Sequence, residues 1–308
     1  LNRNMPRGQR RANRFHRIIW TILIIYLVLP LLATLLYALA GNWQTTVLPE
    51  SWTLKWFDDL LHDSRFTDAF VRSIVVCGIS LIVSTAVMVP TVIIVVLEFP
   101  KWEKVLNILA LIPYAVPGVV AAVGLIRLYS SGPLAISGTI WLLCGAYFVV
   151  VLPFMYQGIR NSLRSVNAVM LQDAAMLLGA GRWQTFRYVL LPNVMPGLTV
   201  SLLLSFAVLF GEFVLANLLV GGQYETIQIY LYRRQGESGH LSSAVSITYF
   251  VLVAIISGVM LKLGKRVLNA PSGADDDKPA AAGTRKGRHS DPGTAAGGIN
   301  LQGGQELR

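Results

Sequence analysis

Charge is scarce in this sequence: only 14% of its 308 residues are Asp, Glu, Lys or Arg, where a soluble domain carries about a quarter. So few charges cannot clothe a globular surface, which excludes an ordinary soluble domain. Acid is scarcer than base, with 16 Asp and Glu against 26 Lys and Arg. Cysteine is nearly absent. Cys77 and Cys144 both fall inside apolar runs, without ligand spacing to each other or to the four His. Both read as packing residues, and no metal is expected. A phosphate-cradling glycine loop is missing as well. The one Gly-Lys pair, Gly264-Lys265, is followed by Arg266 and preceded by no glycine at the right distance. The chain therefore carries no nucleotide-hydrolysing loop of its own. The apolar runs also hold no Ser/His/Asp set and no paired acids, so no catalytic residue is assigned and an enzyme is not expected.

What is abundant is apolar length. Hydrophobic residues make up 54% of the chain and the mean hydropathy is +0.57. Several runs exceed the roughly 18 residues needed to cross a bilayer. Six spans are expected, near 18–40, 73–97, 105–128, 134–156, 196–220 and 242–264. The predicted fold is all-α, a polytopic membrane protein. No cleavable signal peptide is expected, because the first apolar run is long and lacks a small-residue cleavage site. Residues 1–17 form a basic arm, 18–70 the first span with an outer polar loop, and 71–265 a five-span core. Residues 269–308 are rich in Gly, Ala, Ser and Pro and are expected to be a disordered tail. The third apolar stretch contains Pro113, Pro117 and Gly118. They predict a broken helix at membrane depth, either beside a transport path or as a packing kink.

Where the base lies decides what it binds. Six Arg fall in the N-terminal arm, two Lys at 98–104, four Arg at 157–195 and eight Lys or Arg from Lys262 onward. The segments on the other side of six spans hold only six. That bias puts both chain ends and the 157–195 loop in the cytoplasm. A basic arm directly before a span reads as a lipid-headgroup anchor, and no nucleic acid is expected.

The 157–195 loop is the most informative stretch. Ala168, Leu171, Ala175 and Leu178 share one face at helical spacing. Gly179 and Gly181 then permit a change of direction, and a second stripe of Trp183, Phe186 and Leu190 ends at Leu191-Pro192. The fixed positions are Asp173, Ala174, Ala175, Gly179, Val189, Leu191 and Pro192. Their spacing, D-A-A-x3-G-x9-V-x-L-P, resembles the E-A-A-x3-G-x9-I-x-L-P loop of the membrane subunits of binding-protein-dependent type I ABC importers. Asp for Glu and Val for Ile are the two departures. The outer-loop wording P-E-S-W-T-L-K-W-F, at 49–57, looks like the polyamine and aminophosphonate branch of that family. The resemblance implies a bacterial inner-membrane permease subunit whose cytoplasmic coupling helix seats on an ATPase. Its implied partners are a second permease subunit, two ATPase subunits and an extracytoplasmic solute-binding protein. This chain then needs no cofactor, since ATP is bound by the ATPase subunits.

One acid interrupts the expected fifth span, Glu212. With Ser201 and Ser205 it would share one side of a continuous helix. A carboxylate in hydrocarbon must face protein, water or a partner. The two readings are a structural pair with Arg127 and a place on a translocation path that favours a cationic solute such as a polyamine. Of two rival classes, a self-sufficient secondary transporter would need internal inverted repeats and ion-site polar residues, neither of which is visible, and a membrane scaffold would make the coupling-loop spacing a coincidence.

Overall fold

The computed structural model describes residues 7–43 and 46–268, with side chains placed for 16–43 and 46–262. The 269–308 tail and the first six residues of the basic arm lie outside the described residues. Helix α1 (Arg7–Leu39) carries Pro30 within it. Most of its apolar surface is bare, Tyr26 being 75% exposed, as suits a helix whose neighbour is lipid. A short antiparallel pair, β1 (Ala40–Asn42) with β2 (Ser51–Trp52), and helix α2 (Lys55–Leu61) follow. The Trp56 indole N–H donates to the Ala40 carbonyl at 2.8 Å and ties this cap to the end of α1.

Helix α3 (Ser64–Glu98) begins well before residue 73, where the expected span starts. Arg65, Asp68 and Arg72 look like loop in the sequence but form the first turns of the helix. Asp63 caps it, accepting the Arg65 backbone N–H at 2.9 Å. One turn at Pro100–Trp102 leads to α4 (Glu103–Ala115), and α5 (Gly118–Tyr129) leaves it at an angle of 100°. The predicted break is present, and its seat is specific. Val116 is extended, as the residue before a proline prefers, and Pro117 caps α5, whereas Pro113 stays inside α4.

Helix α6 (Ile140–Ser165) is followed by α7 (Ala168–Leu177). Next come α8 (Arg182–Gln184), a wide π-type turn at Thr185–Leu190, and α9 (Leu191–Phe210), which together read as one 29-residue rod. Leu191-Pro192 therefore does not stop the helix, and Pro196 lies inside α9 instead of opening it. The wide turn explains the tolerance. The Leu191 N–H reaches back five residues to the Phe186 carbonyl, loosening the turn where the Pro192 ring would otherwise press on the preceding one. The chain closes with α10 (Val214–Leu219), α11 (Ile227–Gln235) and α12 (Gly239–Leu268). Among the described residues five helices are long and apolar enough to cross a membrane, or six if the bent α4–α5 pair serves as one span.

The core sits where α3, α6 and α9 meet, around Tyr147, Met155, Ile159 and Leu209. Helix α12 lies on α9 and α11, and α1 lies on α12. Small residues set the α6–α9 crossing. A Cβ added to Gly158 would stand 1.5 Å from Ser201 Oγ, and one added to Gly197 would stand 1.9 Å from Ser162 Oγ. Gly158-x3-Ser162 thus faces Gly197-x3-Ser201, a close approach of the kind that holds helices together in lipid.

Candidate functional site

The left-handed Asn167, at φ 49°, turns the chain from α6 into α7. One side of α7 rests on the protein through buried Ala168 and Ala175, with Leu171 half-buried. The opposite side is open. Asp173 and Ala174 are exposed, as are Val169 and Met170, while Leu177 and Leu178 are each 89% exposed. Leu178 does not extend the buried stripe, because α7 ends before it. The ending is a Schellman turn. The Gly179 N–H bonds to the Met176 carbonyl and the Ala180 N–H to the Ala175 carbonyl, both at 3.0 Å, with Gly179 at φ 84°. No atom lies within 4 Å of a Cβ at Gly179, so backbone conformation alone asks for glycine there.

The exit from α7 is fastened too. The Gly181 N–H donates to Gln184 Oε1 at 2.9 Å, opening α8. Glu98, at the end of α3, accepts from Gln172 Nε2 at 3.1 Å and pairs with Arg182 at 3.8 Å. Glu103 pairs with Arg160 and with Arg164, joining the start of α4 to the last turns of α6. The second stripe splits: Trp183 is exposed and stacks on Phe186 at 5.4 Å, whereas Leu190 is buried. Val189 and Leu191 are half-buried in the rod and Pro192 is exposed. The result is an apolar helix fastened by polar contacts to the end of α3 and the start of α8.

Glu212, Ser201 and Ser205 do not form the expected stripe, because α9 stops at Phe210 and Glu212 lies past Gly211. Ser201 is buried in the α6–α9 crossing and donates to the Gly197 carbonyl at 2.9 Å. Ser205 is fully buried, its hydroxyl without a hydrogen-bond partner. Glu212 makes no ion pair with Arg127. Its two oxygens accept the backbone N–H groups of Leu215 at 3.0 Å and Ala216 at 3.1 Å, capping α10.

At the opposite end of α3 lies a cluster that sequence reasoning missed. The side chain of Glu225, only 9% exposed, pairs with Arg65 at 3.3 Å and Arg233 at 3.1 Å. Asp63 pairs with Arg234 and accepts the Tyr230 hydroxyl at 2.7 Å. No spacing in the sequence links Arg65 to Glu225, or Asp63 to Tyr230 and Arg234, pairs 160 or more positions apart. Burial pushes the Asp63 carboxyl up, but hydrogen bonds from Tyr230, the Arg65 backbone and Arg234 outweigh it and hold it below the usual range. Burial and then Asp63 push the Tyr230 phenol up to about 12. A depressed carboxylate contributes its full stability above its unfolded value, about pH 4, and loses it as pH falls through the lower folded value. Amide protection factors in α11 should therefore hold down to about pH 4 and fall below it. In Asp63→Asn they should already be reduced at neutral pH.

The chain is thus all-α and polytopic, with a helix pair bent by 100° and a short exposed helix that ends at a left-handed glycine. Solved ABC transporter structures share its overall fold. A bacterial ABC transporter involved in import of the acidic polysaccharide alginate matches with a TM-score of 0.67 at 16% identity, over 85% of this chain and 99% of that one. The MetNI methionine ABC transporter, in an inward-facing form, matches at 0.53 and 16% identity, over 67% of this chain and 99% of that one. The chain belongs to the family of binding-protein-dependent transport system inner membrane components, whose sequence profile matches residues 61–269. Among curated relatives, the PhnV permease protein assigned to a 2-aminoethylphosphonate transport system of Salmonella typhimurium is 27% identical over 258 residues, 84% of this chain and 94% of the relative. The spermidine/putrescine transport system permease protein PotC of Escherichia coli is 22% identical over 253 residues, 80% and 92% of the two chains. This protein is thus a multi-pass inner-membrane permease subunit of an ABC importer, a transport protein and not an enzyme.

Proposed function

We propose that this subunit forms half of a solute path and that α7 seats on a cytoplasmic ATPase subunit, with both chain ends cytoplasmic. The observation that carries the reading is the bare apolar side of α7, which includes Ala174 and ends at the left-handed Gly179. Asp173, Ala174, Ala175 and Gly179 form the seat, while Val189, Leu191 and Pro192 carry its motion into α9. The complete importer has a second permease subunit, two ATPase subunits that bind the ATP, and an extracytoplasmic solute-binding protein. ATP-driven closure of the ATPases moves α7, and the continuous α8–α9 rod passes that motion to the core. The solute is a small polar molecule with an amino group. The solutes in the names of two relatives, 2-aminoethylphosphonate and spermidine/putrescine, share that group.

Gly179→Val tests the seat. A non-glycine residue in the left-handed region costs about 1–2 kcal/mol, roughly tenfold in an equilibrium between seated and unseated loop. Solute uptake should fall by about that factor while the subunit still inserts and assembles. Gly179→Asn, which tolerates the conformation better, should fall between wild type and Val. Wild-type solute-stimulated ATP hydrolysis in Gly179→Val would exclude α7 as the seat.

A further inference from the structure

Beside α7 runs an apolar groove of about 980 Å³ between the second half of α3 and the α8–α9 rod. Val89, Ile93 and Ile94 line one wall, and Leu198 and Leu202 the other. Its mouth is polar, formed by Glu98, Gln172 and Arg182, with Trp183 beside them. From the geometry we infer that this groove binds one anionic phospholipid, its acyl chain between α3 and α9 and its phosphate at Arg182.

Length argues for a lipid chain over a protein helix. From Thr85 to Glu98 the groove follows α3 for about 20 Å at 1.5 Å per residue. That slightly exceeds one leaflet, half of a hydrocarbon core of about 30 Å, and falls well short of a full span. Charge argues for an anionic headgroup. Arg182 and Glu98 line the mouth itself, and the segments that carry it, 98–104 and 157–195, hold Lys101, Lys104, Arg160, Arg164, Arg182 and Arg187 against Glu98, Glu103 and Asp173. Glu103 is already taken by Arg160 and Arg164. Arg182 is 78% exposed and holds Glu98 only at 3.8 Å, leaving guanidinium donors for a phosphate. Trp183, exposed at the same level, suits the water–lipid boundary. Gln172 and Met176 of α7 border the mouth, so a bound lipid would touch α7 beside the seat. The inference uses the membrane placement of the fold and does not require that α7 dock on an ATPase.

The test uses the full importer in phosphatidylcholine vesicles containing a trace of photoactivatable phospholipid, either phosphatidylglycerol or phosphatidylcholine, without ATP. The phosphatidylglycerol probe should label α3 and α9 severalfold more than the phosphatidylcholine probe. Arg182→Gln should erase that preference. Ile94→Trp or Ala86→Trp, each placed on an exposed groove-wall position, should remove the labelling of both walls. Equal labelling by the two probes, or labelling unchanged by both tryptophan variants, would overturn the inference. So would a cysteine at Ile94 that cross-links fully to the partner permease, because the groove would then be a protein interface. If Gly179→Val leaves coupling intact while the lipid preference holds, the seat assignment alone fails.

Discussion

Gly158→Ala should sharply reduce assembly of the subunit, because its Cβ would make the closest approach of any added at a described glycine. The new Cβ would lie 1.5 Å from Ser201 Oγ, 2.9 Å from Ser201 Cβ and 3.3 Å from the Gly197 carbonyl oxygen. Overpacking a fitted interior typically costs about 1–3 kcal/mol. Here both helices belong to the central trio, so moving them apart loosens the whole core. The identity of the clashing atoms allows a rescue. Ser201→Gly removes the two nearest, leaving only the carbonyl at a tight but adjustable distance. The double variant Gly158→Ala/Ser201→Gly should recover much of the membrane-inserted, heat-resistant protein. The mirror pair should recover less. In Gly197→Ala the Cβ meets Ser162 Oγ at 1.9 Å and Ser162 Cβ at 3.1 Å, but also the Gly158 carbonyl at 3.0 Å, which no side-chain change removes. Thermal-aggregation midpoints of the four variants measure the difference. Equal rescue of both pairs would show that the helices slide apart freely and that the crossing does not depend on close backbone contact.

That crossing also marks where sequence reading ends. Gly158-x3-Ser162 and Gly197-x3-Ser201 are visible as small-residue pairs, but nothing in the sequence says that they face each other. Ser201 was accordingly read with Ser205 and Glu212 as one polar stripe. The loop was more legible because its information is local. Gly179 was marked as a turn by its place after an apolar helical face, and its left-handed backbone needs no partner outside the motif. The break between α4 and α5 is legible for the same reason, since Val116-Pro117-Gly118 act on their own backbone. Pro192 misled, because its effect depends on whether the preceding turn can widen, and the π-type turn at Thr185–Leu190 does so. The ion-pair cluster at the start of α3 is invisible in the sequence, as Asp63 and Arg234 meet only after the eight helices from α3 to α10 have been placed.

Glu212→Gln should impair transport for a reason that differs from simple loss of charge. The expectation of a continuous fifth span hid Gly211, where α9 ends, and so gave Glu212 a helical face it does not have. Both of its carboxylate oxygens accept backbone N–H groups at the start of α10. Glutamine offers one oxygen and turns an NH2 donor toward the other N–H, leaving a half-buried donor unpaired at about 1–3 kcal/mol. Helix α10 packs on α5, the second half of the broken span, so frayed capping passes directly to the bend. Uptake should therefore fall even for an uncharged solute, and hydrogen exchange of the Leu215 and Ala216 amides should rise by about tenfold or more. Glu212→Asp keeps both oxygens and the charge on a shorter arm, and aspartate is itself a favoured helix cap. It should retain more transport than Gln. A path-lining carboxylate predicts a different pattern: Gln would spare the amide protection of α10 and selectively lose amine uptake. If the protection factors of Leu215 and Ala216 are unchanged in Glu212→Gln while amine transport disappears, the acid serves the solute, and its capping of α10 is incidental.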